Sequence, residues 1–278
     1  MMCRVFEESN SSFYYWLKHP RGKREDNQDC LLREIRKIYD NSKGRYGSPR
    51  ITAELKKNGI NVSRPRVARL MQKAKIKSIV RKKWVNTTDS NHHYVAAENI
   101  LDRDFYAADL GLKWVSDLTY IETKEGWLYL TVVMDLADRK VIGWSLSNTM
   151  HAENTTIKAF QMAKINRPVI EGLIFHSDRG VQYACTEFRN QLKGLWIVQS
   201  MSRKGNCWDN AVAESFFKTM KTEMIYHQVF ESRKQASIAI FEYIEVWYNR
   251  KRSHSTLGFL TPSEFEKALL NDQKSNIK

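Results

Sequence analysis

Cysteine is scarce and scattered in this chain of 278 residues. The four cysteines form no Cys-x-x-Cys pair; they are Cys3, Cys30, Cys185 and Cys207. This spacing argues against a disulfide framework and a cysteine-based zinc site, and it is typical of the reducing cytoplasm. Long apolar runs are also lacking, so we expect no membrane span. Because no basic segment followed by an apolar stretch opens the chain, no signal peptide is predicted.

Acidic residues are nearly missing from one segment. The whole chain has a formal net charge of +14, and residues 43–83 hold 14 Lys or Arg against one acid, Glu54. Apolar residues at helical spacing interrupt this basic block, which predicts a folded basic module and not a disordered tail. The two interpretations of such a block are a solvated face and a nucleic-acid surface, and the charge contrast favours nucleic acid.

The basic block lies in a segment with the pattern of a small helical domain. After an irregular lead-in over residues 1–26, we predict a helix-turn-helix DNA-binding domain over residues 27–80. Its first helix follows Asp29, its second ends at Gly59, and its third opens with Ser63 as N-cap. The cations of the third helix are assigned to DNA contact: Arg64, Arg66, Arg69 and Lys73. The alternative is a helical bundle whose cations are merely solvated.

The remaining chain has the pattern of an α/β domain. The polar composition of residues 81–107 predicts a linker. We predict a catalytic core over residues 108–228 and a C-terminal helical extension over residues 229–278. Three strand-like segments, KWVSDLTYIET, WLYLTVVMDL and VIGWSLS, predict an antiparallel meander. Helices then alternate with two further strands. The predicted fold is therefore a mixed sheet of three antiparallel strands plus two more, flanked by helices.

Three acids stand in contexts that fit one catalytic site. Asp117 lies inside an apolar strand-like run, Asp178 ends a second such run, and Glu214 lies on a helical pattern with 35 residues between it and Asp178. Carboxylates in apolar segments are costly unless something compensates them. Hard oxygen ligands suit Mg²⁺ or Mn²⁺, and two such ions can clamp the entering and leaving oxygens of a phosphoryl transfer. The pattern predicts a metal-dependent site that acts on nucleic acid.

Each of these acids also has a simpler interpretation. Asp178, before Arg179 and Gly180, has the context of a turn residue, and Glu214 could be a solvated helix residue. Asp135 is a rival first ligand, although its turn context favours capping of a hairpin. His176 could shuttle protons, but a hydrogen-bonded structural role is favoured.

Cations accompany the third acid. Lys218 and Lys221 follow Glu214 at i+4 and i+7, and therefore share one stripe of the predicted helix. Lys204 lies in the preceding segment SMSRKGNCWDN, which we expect to be a mobile loop over the site. We assign all three lysines to DNA contact. The alternative is that they form surface ion pairs, which contribute little.

Four blocks of the sequence resemble the signature blocks of DDE transposases: WVSDLTYI, FHSDRGVQY, MSRKGNCWDNAVAESFFKTMKTE and YNRKRSHSTLGFLTPSEFE. The nearest group is the OrfB-type proteins of bacterial insertion sequences, relatives of retroviral integrases. The resemblance covers residues 28–270 and implies an RNase H-like core with two bound Mg²⁺ ions, for which Mn²⁺ can substitute. It places the metal triad on Asp117, Asp178 and Glu214, and it matches Lys221 to the basic position that contacts the transposon end.

The same resemblance implies a function and partners. It predicts a DNA transposase that cleaves double-stranded DNA at insertion-sequence ends and joins it to a target, as a homo-oligomer at the bacterial nucleoid. In this group the active enzyme is usually fused to an upstream-frame DNA-binding product, so this chain is expected to be fused or paired with one. Retroviral relatives carry a His/Cys zinc module at the N-terminus, whereas this chain offers for it only the pair His92-His93 and isolated cysteines, so no zinc is expected. Two alternatives stay open: a nuclease that does not join, and a non-catalytic DNA-binding regulator.

Overall fold

The computed structural model describes residues 9–18, 23–79 and 97–276. The chain divides into two compact units, Met1–Val80 and Arg81–Lys278. No helix in the three described ranges is long and apolar enough to cross a membrane.

The first unit is helical. Its elements are α1 (Asn10–Lys18), α2 (Lys23–Asn41), α3 (Ser48–Lys57) and α4 (Arg64–Lys73). Helices α2 to α4 bury one another's apolar stripes through Ile35, Ile51, Leu55 and Val67. As predicted, Ser63 is the N-cap of α4. Gly59 follows α3 with a φ of +79°, a conformation that glycine adopts without steric cost.

The predicted irregular lead-in is wrong for the residues that the structure describes. Helix α1 occupies Asn10–Lys18, and α2 already begins at Lys23. The apolar residues of α1 are consecutive and therefore lack helical periodicity, which hid the helix from pattern reasoning. No glycine or proline interrupts α1, so its backbone hydrogen bonds are not broken.

The second unit is built on a five-stranded mixed sheet. The strands are β1 (Lys113–Thr123), β2 (Gly126–Asp135), β3 (Val141–Ser147), β4 (Ile174–Ser177) and β5 (Val198–Met201). Their order is β3-β2-β1-β4-β5. Strands β1, β2 and β3 are antiparallel neighbours, while β4 runs parallel to both β1 and β5. This topology confirms the predicted RNase H-like sheet of three antiparallel strands plus two.

Helices flank this sheet. They are α5 (Thr156–Asn166), α6 (Val181–Ala184), α7 (Thr186–Gly194), α8 (Ala211–Glu223), α9 (Arg233–Phe241) and α10 (Pro262–Asn276). Phe160 of α5 packs edge-on against Phe175 and Phe188 in the core. Helix α5 approaches β3 closely because Gly143 has no side chain: a Cβ there would lie 2.2 Å from the Ala159 carbonyl oxygen.

Part of the predicted linker lies against the core. Residues 81–96 fall outside the described ranges, and residues 97–107 form neither helix nor strand. Leu101 is nevertheless only 2% exposed. The backbone N–H groups of Ile100 and Leu101 both donate to the Ser200 hydroxyl at the edge strand β5. Residues 97–107 therefore pack, through Ile100 and Leu101, against the edge of the sheet at β5.

The C-terminal segment covers the opposite edge strand. Helix α9 continues directly into a π-helical segment, Glu242–Tyr248, before α10. Just beyond, the Asn249 side chain donates to the Val141 carbonyl oxygen and accepts from the Val141 N–H, each at 3.0 Å. Asn249 thereby satisfies backbone groups that an open edge would expose. The segment around Asn249 is consequently packed on this edge of the sheet.

Candidate active site

The sheet brings two of the three predicted carboxylates to the same place. Strand β4 pairs with β1 only as far as the Ser116–Ser177 pair. Asp117 is the next residue of β1, and Asp178 directly follows the last residue of β4. Because the two strands are parallel and in register, both carboxylates lie at the end of β4.

The third carboxylate is placed by the start of α8. Glu214 lies in the first turn of α8 and is half-buried. Asn210, the residue before α8, donates its side-chain N–H to the Ser116 carbonyl oxygen at 3.1 Å. This bond ties the beginning of α8 to β1 one residue before Asp117, and Glu214 is held near the other two acids as a result.

The three carboxylates influence one another's ionisation. Burial raises the pKa of Asp117 well above its ordinary value, and the negative charges of Asp178 and Glu214 raise it further. Burial and Asp178 likewise raise the pKa of Glu214. The buried Tyr183 hydroxyl has a raised pKa for the same reasons, with Asp178 and Asp117 contributing after burial. Like charges that disfavour one another's ionisation must lie close together in poorly solvated surroundings.

The carboxylate oxygens of this site are suitable ligands for a divalent cation, although the side chains do not form a closed coordination site. Within the described ranges, no three His, Cys, Asp or Glu side chains are grouped closely enough to hold a metal ion. Asp117 Oδ1 instead accepts from the Leu118 N–H at 2.8 Å, and Asp178 Oδ1 from the Gly180 N–H at 2.9 Å. Mutual repulsion favours such separation. Mg²⁺ prefers hard oxygen ligands, and its positive charge would offset the repulsion among the three carboxylates.

Lys221 points toward this site. Its ammonium nitrogen lies 5.4 Å from the centre of the Tyr120 ring. Burial lowers the pKa of Lys221, and the charge of Asp117 opposes that shift. The Glu223 carboxylate, two residues further along α8, is bound by Arg252 at 3.0 Å.

The other cations assigned to DNA contact are exposed. Lys218 lies on the outer side of α8, and Lys204 lies in the loop after β5. In the first unit, Val67, Leu70 and Met71 of α4 are buried. The exposed side of that helix carries the four predicted contacts, Arg64, Arg66, Arg69 and Lys73. Their role in DNA binding stays a prediction.

The loop that leads into α8 is anchored, which differs from the mobile loop predicted from its composition. Asp209 in this loop is fully buried and accepts hydrogen bonds from Arg203, Arg103 and Asn99. The hydrogen bonds from Arg203 hold the pKa of Asp209 well below its usual range. Sequence reasoning missed this cluster, because nothing in the sequence connects Asp209 with residues so far upstream.

Asp135, the rival first ligand, has a structural role. It is fully buried and accepts from the Ala137 N–H at 2.9 Å, which agrees with the predicted hairpin cap. It also forms an ion pair at 2.7 Å with Arg167, a buried residue that sequence reasoning missed. Arg167 additionally binds Asp138 and Glu266. Burial raises the pKa of Asp138 to about 6 in spite of Arg167.

His176 is a buried structural histidine, as favoured from the sequence. Its Nδ1 lies 2.9 Å from the Ser200 hydroxyl and its Nε2 lies 3.2 Å from the Ser202 hydroxyl. Burial lowers the pKa of His176 to about 4. The ring is therefore neutral near pH 7 and supports β5, not proton transfer.

Family profiles match both units. The profile described as an HTH-like domain matches residues 25–84. Two profiles described as integrase core domains match residues 110–207 and 214–270. The first of these includes Asp117 and Asp178, and the second begins at Glu214. Fold and site thus define an integrase-core protein preceded by an HTH-like domain.

Relatives of similar length show which group of integrase-core proteins this chain is similar to. The chain is 39% identical over 264 residues to "Insertion element IS600 uncharacterized 31 kDa protein" of Shigella sonnei, with 95% of this chain and 97% of the relative covered. It is 39% identical over 268 residues to "Transposase InsF for insertion sequence IS3A" of Escherichia coli (strain K12), with 95% and 92% covered. A simian T-cell lymphotropic virus intasome in complex with PP2A regulatory subunit B56 gamma aligns at 13% identity and a TM-score of 0.48, over 84% of this chain and 74% of that chain. By its two close relatives, this chain belongs to the insertion-sequence transposase family that includes InsF.

Proposed function

We propose that this transposase catalyses metal-dependent cleavage and strand transfer at the ends of an insertion sequence. Asp117, Asp178 and Glu214 would hold two Mg²⁺ ions, for which Mn²⁺ can substitute. The observation that carries the proposal is that the acids raise one another's pKa at the end of β4. Clustered carboxylates destabilise the folded protein. Such a cluster is nevertheless expected in a site that binds cations.

The carboxylates and Lys221 have different roles in this proposal. When bound, the metal ions supply an activated water or DNA 3′-OH and stabilise charge on the leaving oxygen. Asp117, Asp178 and Glu214 would hold these ions, while Lys221 would bind a phosphate of the transposon end beside Asp117. No covalent enzyme intermediate is needed. Ser116, the residue before Asp117, is buried and hydrogen-bonded to both the Val132 carbonyl oxygen and Tyr183.

DNA is the proposed partner of both units. The exposed cations of α4 would bind the duplex by charge, together with Lys204 and Lys218 near the catalytic site. Joining two ends to one target requires a complex of several copies, so we expect a homo-oligomer on DNA. An upstream-frame DNA-binding product, fused or paired, would complete recognition of the ends. This work would take place at the bacterial nucleoid.

Isosteric substitutions test the metal triad. Asp117→Asn, Asp178→Asn and Glu214→Gln each keep side-chain shape and remove one ligand charge, so each should abolish cleavage and joining but leave DNA binding intact. Glu122→Gln is the matched control, because Glu122 is exposed on the same strand as Asp117. A triad variant with near-normal Mg²⁺-dependent activity would remove that residue from the site.

A strand-transfer assay separates the transposase from the two alternatives. Labelled duplexes with the transposon-end sequence and a free 3′-OH are incubated with supercoiled target DNA and Mg²⁺. Joined products are expected. Cleavage without joined products would instead indicate a nuclease, and the absence of metal-dependent nicking by the fused or paired enzyme would indicate a regulator.

A further inference from the structure

The aromatic ring under Lys221 belongs to the same strand as Asp117. Tyr120 lies three positions further along β1, beyond the stretch that pairs with β4. The Lys221 ammonium lies over its ring at 5.4 Å, within the range of a cation–π interaction. One strand thus carries both a carboxylate of the site and the ring that holds the neighbouring cation.

The ring is itself held in place. Trp127, on the adjacent strand β2, packs edge-on against Tyr120 with ring centres 5.0 Å apart and an angle of 83° between the planes. Burial raises the pKa of the Tyr226 hydroxyl just after α8, and Tyr120 raises it further, so the two tyrosines are neighbours. Tyr120 is therefore half-buried, and its ring contacts Trp127 of the β1–β2 hairpin, which restricts its motion.

A fixed ring matters because lysine is a flexible ligand. Its four-carbon stem loses rotamer freedom whenever the ammonium is confined to one place. The partly buried ammonium of Lys221 is also short of water, which is why its pKa is lowered. The negative face of an aromatic ring offsets part of that lost hydration and confines the ammonium before DNA arrives. Binding then costs less entropy.

We infer that Tyr120 is a positioning residue whose ring holds the Lys221 ammonium beside the carboxylate site, with Trp127 fixing the ring. This inference rests on the proposed contact between Lys221 and the transposon end. It assigns to Tyr120 an effect on recognition of that end and none on metal binding or on binding of unrelated DNA.

The test compares the affinities of variants for an end-containing duplex and a random duplex of equal length. Tyr120→Leu removes the ring and should weaken end binding about tenfold, which corresponds to ~1.4 kcal/mol and lies within the usual cation–π range. Tyr120→Phe keeps the ring and should stay within about twofold of wild type. Affinity for the random duplex should not change. Tyr129→Leu is the matched control, because Tyr129 is the half-buried cross-strand neighbour of Tyr120.

A double-mutant cycle isolates the coupling to lysine. In a Lys221→Ala background, Tyr120→Leu should cause no further loss. If Lys221→Ala alone leaves end binding unchanged, the proposed role of Lys221 fails. If Lys221→Ala weakens end binding but Tyr120→Leu does not, or if the two losses simply add, the role of Tyr120 is overturned.

Fluorinated phenylalanines keep the test decisive even if Tyr120→Leu does not fold. Phenylalanine with one, two or three ring fluorines at position 120 keeps the shape of the ring while withdrawing charge from its face. End affinity should fall stepwise with each fluorine, and the random duplex should show no trend. A flat series for the end-containing duplex would overturn the inference.

Discussion

Removing the Glu223 carboxylate should destabilise the catalytic unit far more than removing an exposed acid. Glu223 ends α8, the helix that begins near Glu214, and its side chain is only 11% exposed. It accepts hydrogen bonds from the Tyr243 hydroxyl at 3.0 Å and the Trp247 indole at 3.1 Å. Arg252, whose side chain is 5% exposed, adds an ion pair at 3.0 Å.

The expected size follows from the charge left behind. Glu223→Ala leaves the Arg252 guanidinium buried without its partner, a change that costs ~3–5 kcal/mol. That is a large part of the ~5–15 kcal/mol by which domains are stable. Glu231→Ala is the matched control: its pair with Lys124 has a similar distance of 2.8 Å, but the side chains are 66% and 61% exposed. An exposed pair contributes ~0–1 kcal/mol.

Urea unfolding followed by far-UV circular dichroism measures both variants. Glu223→Ala should lower the transition midpoint strongly, while Glu231→Ala should leave it nearly unchanged. A variant that replaces Glu223 and Arg252 together by Met should recover much of the loss, since no unpaired charge remains. Equal midpoints for Glu223→Ala and Glu231→Ala would refute the reasoning.

Three further predictions concern packing, pH and DNA. Gly143→Ala should destabilise by ~1–3 kcal/mol in urea, because its Cβ would press on the backbone of α5, whereas Gly194→Ala, with open space around it, should not. His176 has a pKa of about 4 against an ordinary 6.5, so the folded state binds fewer protons and stability should fall as pH drops from 6.5 toward 4. His176→Gln should flatten that slope, and an equally steep slope in the variant would contradict this. Replacing Arg64, Arg66 and Arg69 of α4 together should reduce the slope of log K for DNA binding against log salt by up to about 3, if all three touch phosphate. An unchanged slope would mean that these arginines face solvent and do not contact DNA.

Local pattern was enough to predict the sheet and the position of the acids. The strands β1 to β3 are largely buried runs rich in β-branched and aromatic residues, a composition that is visible in the sequence. An aspartate in the middle of such a strand is conspicuous, since strands disfavour it. Asp117 is therefore recognisable from the amino-acid pattern alone, and the fold places it opposite Val132 and just beyond the stretch that pairs with β4.

Long-range polar pairing could not be predicted. The sequence has 45 Lys and Arg residues, and nothing local marks Arg167 or Arg252 as buried. Their partners lie on other elements, so the pairing is decided by the fold. A buried guanidinium is tolerated only where carboxylates surround it, which is a property of the assembled core.

The π-helical segment also escaped sequence reasoning. The sequence of residues 229–278 predicts a helical extension without such an irregularity, whereas the structure changes to wider turns at Glu242–Tyr248. Wider turns alter which side chains share a face, and here Tyr243 and Trp247 both reach Glu223. Periodicity alone cannot show such a local change, because the composition of the segment remains helix-forming.

Binding of Mn²⁺ to the enzyme on transposon-end DNA tests the central claim most directly. Free Mn²⁺ is measured by electron paramagnetic resonance as the ion is titrated into the wild-type complex and into complexes of Asp117→Asn and Glu122→Gln. We predict two ions per active site for wild type and for Glu122→Gln, and weaker or incomplete binding for Asp117→Asn. Identical binding by all three proteins would contradict a metal site built on Asp117, Asp178 and Glu214.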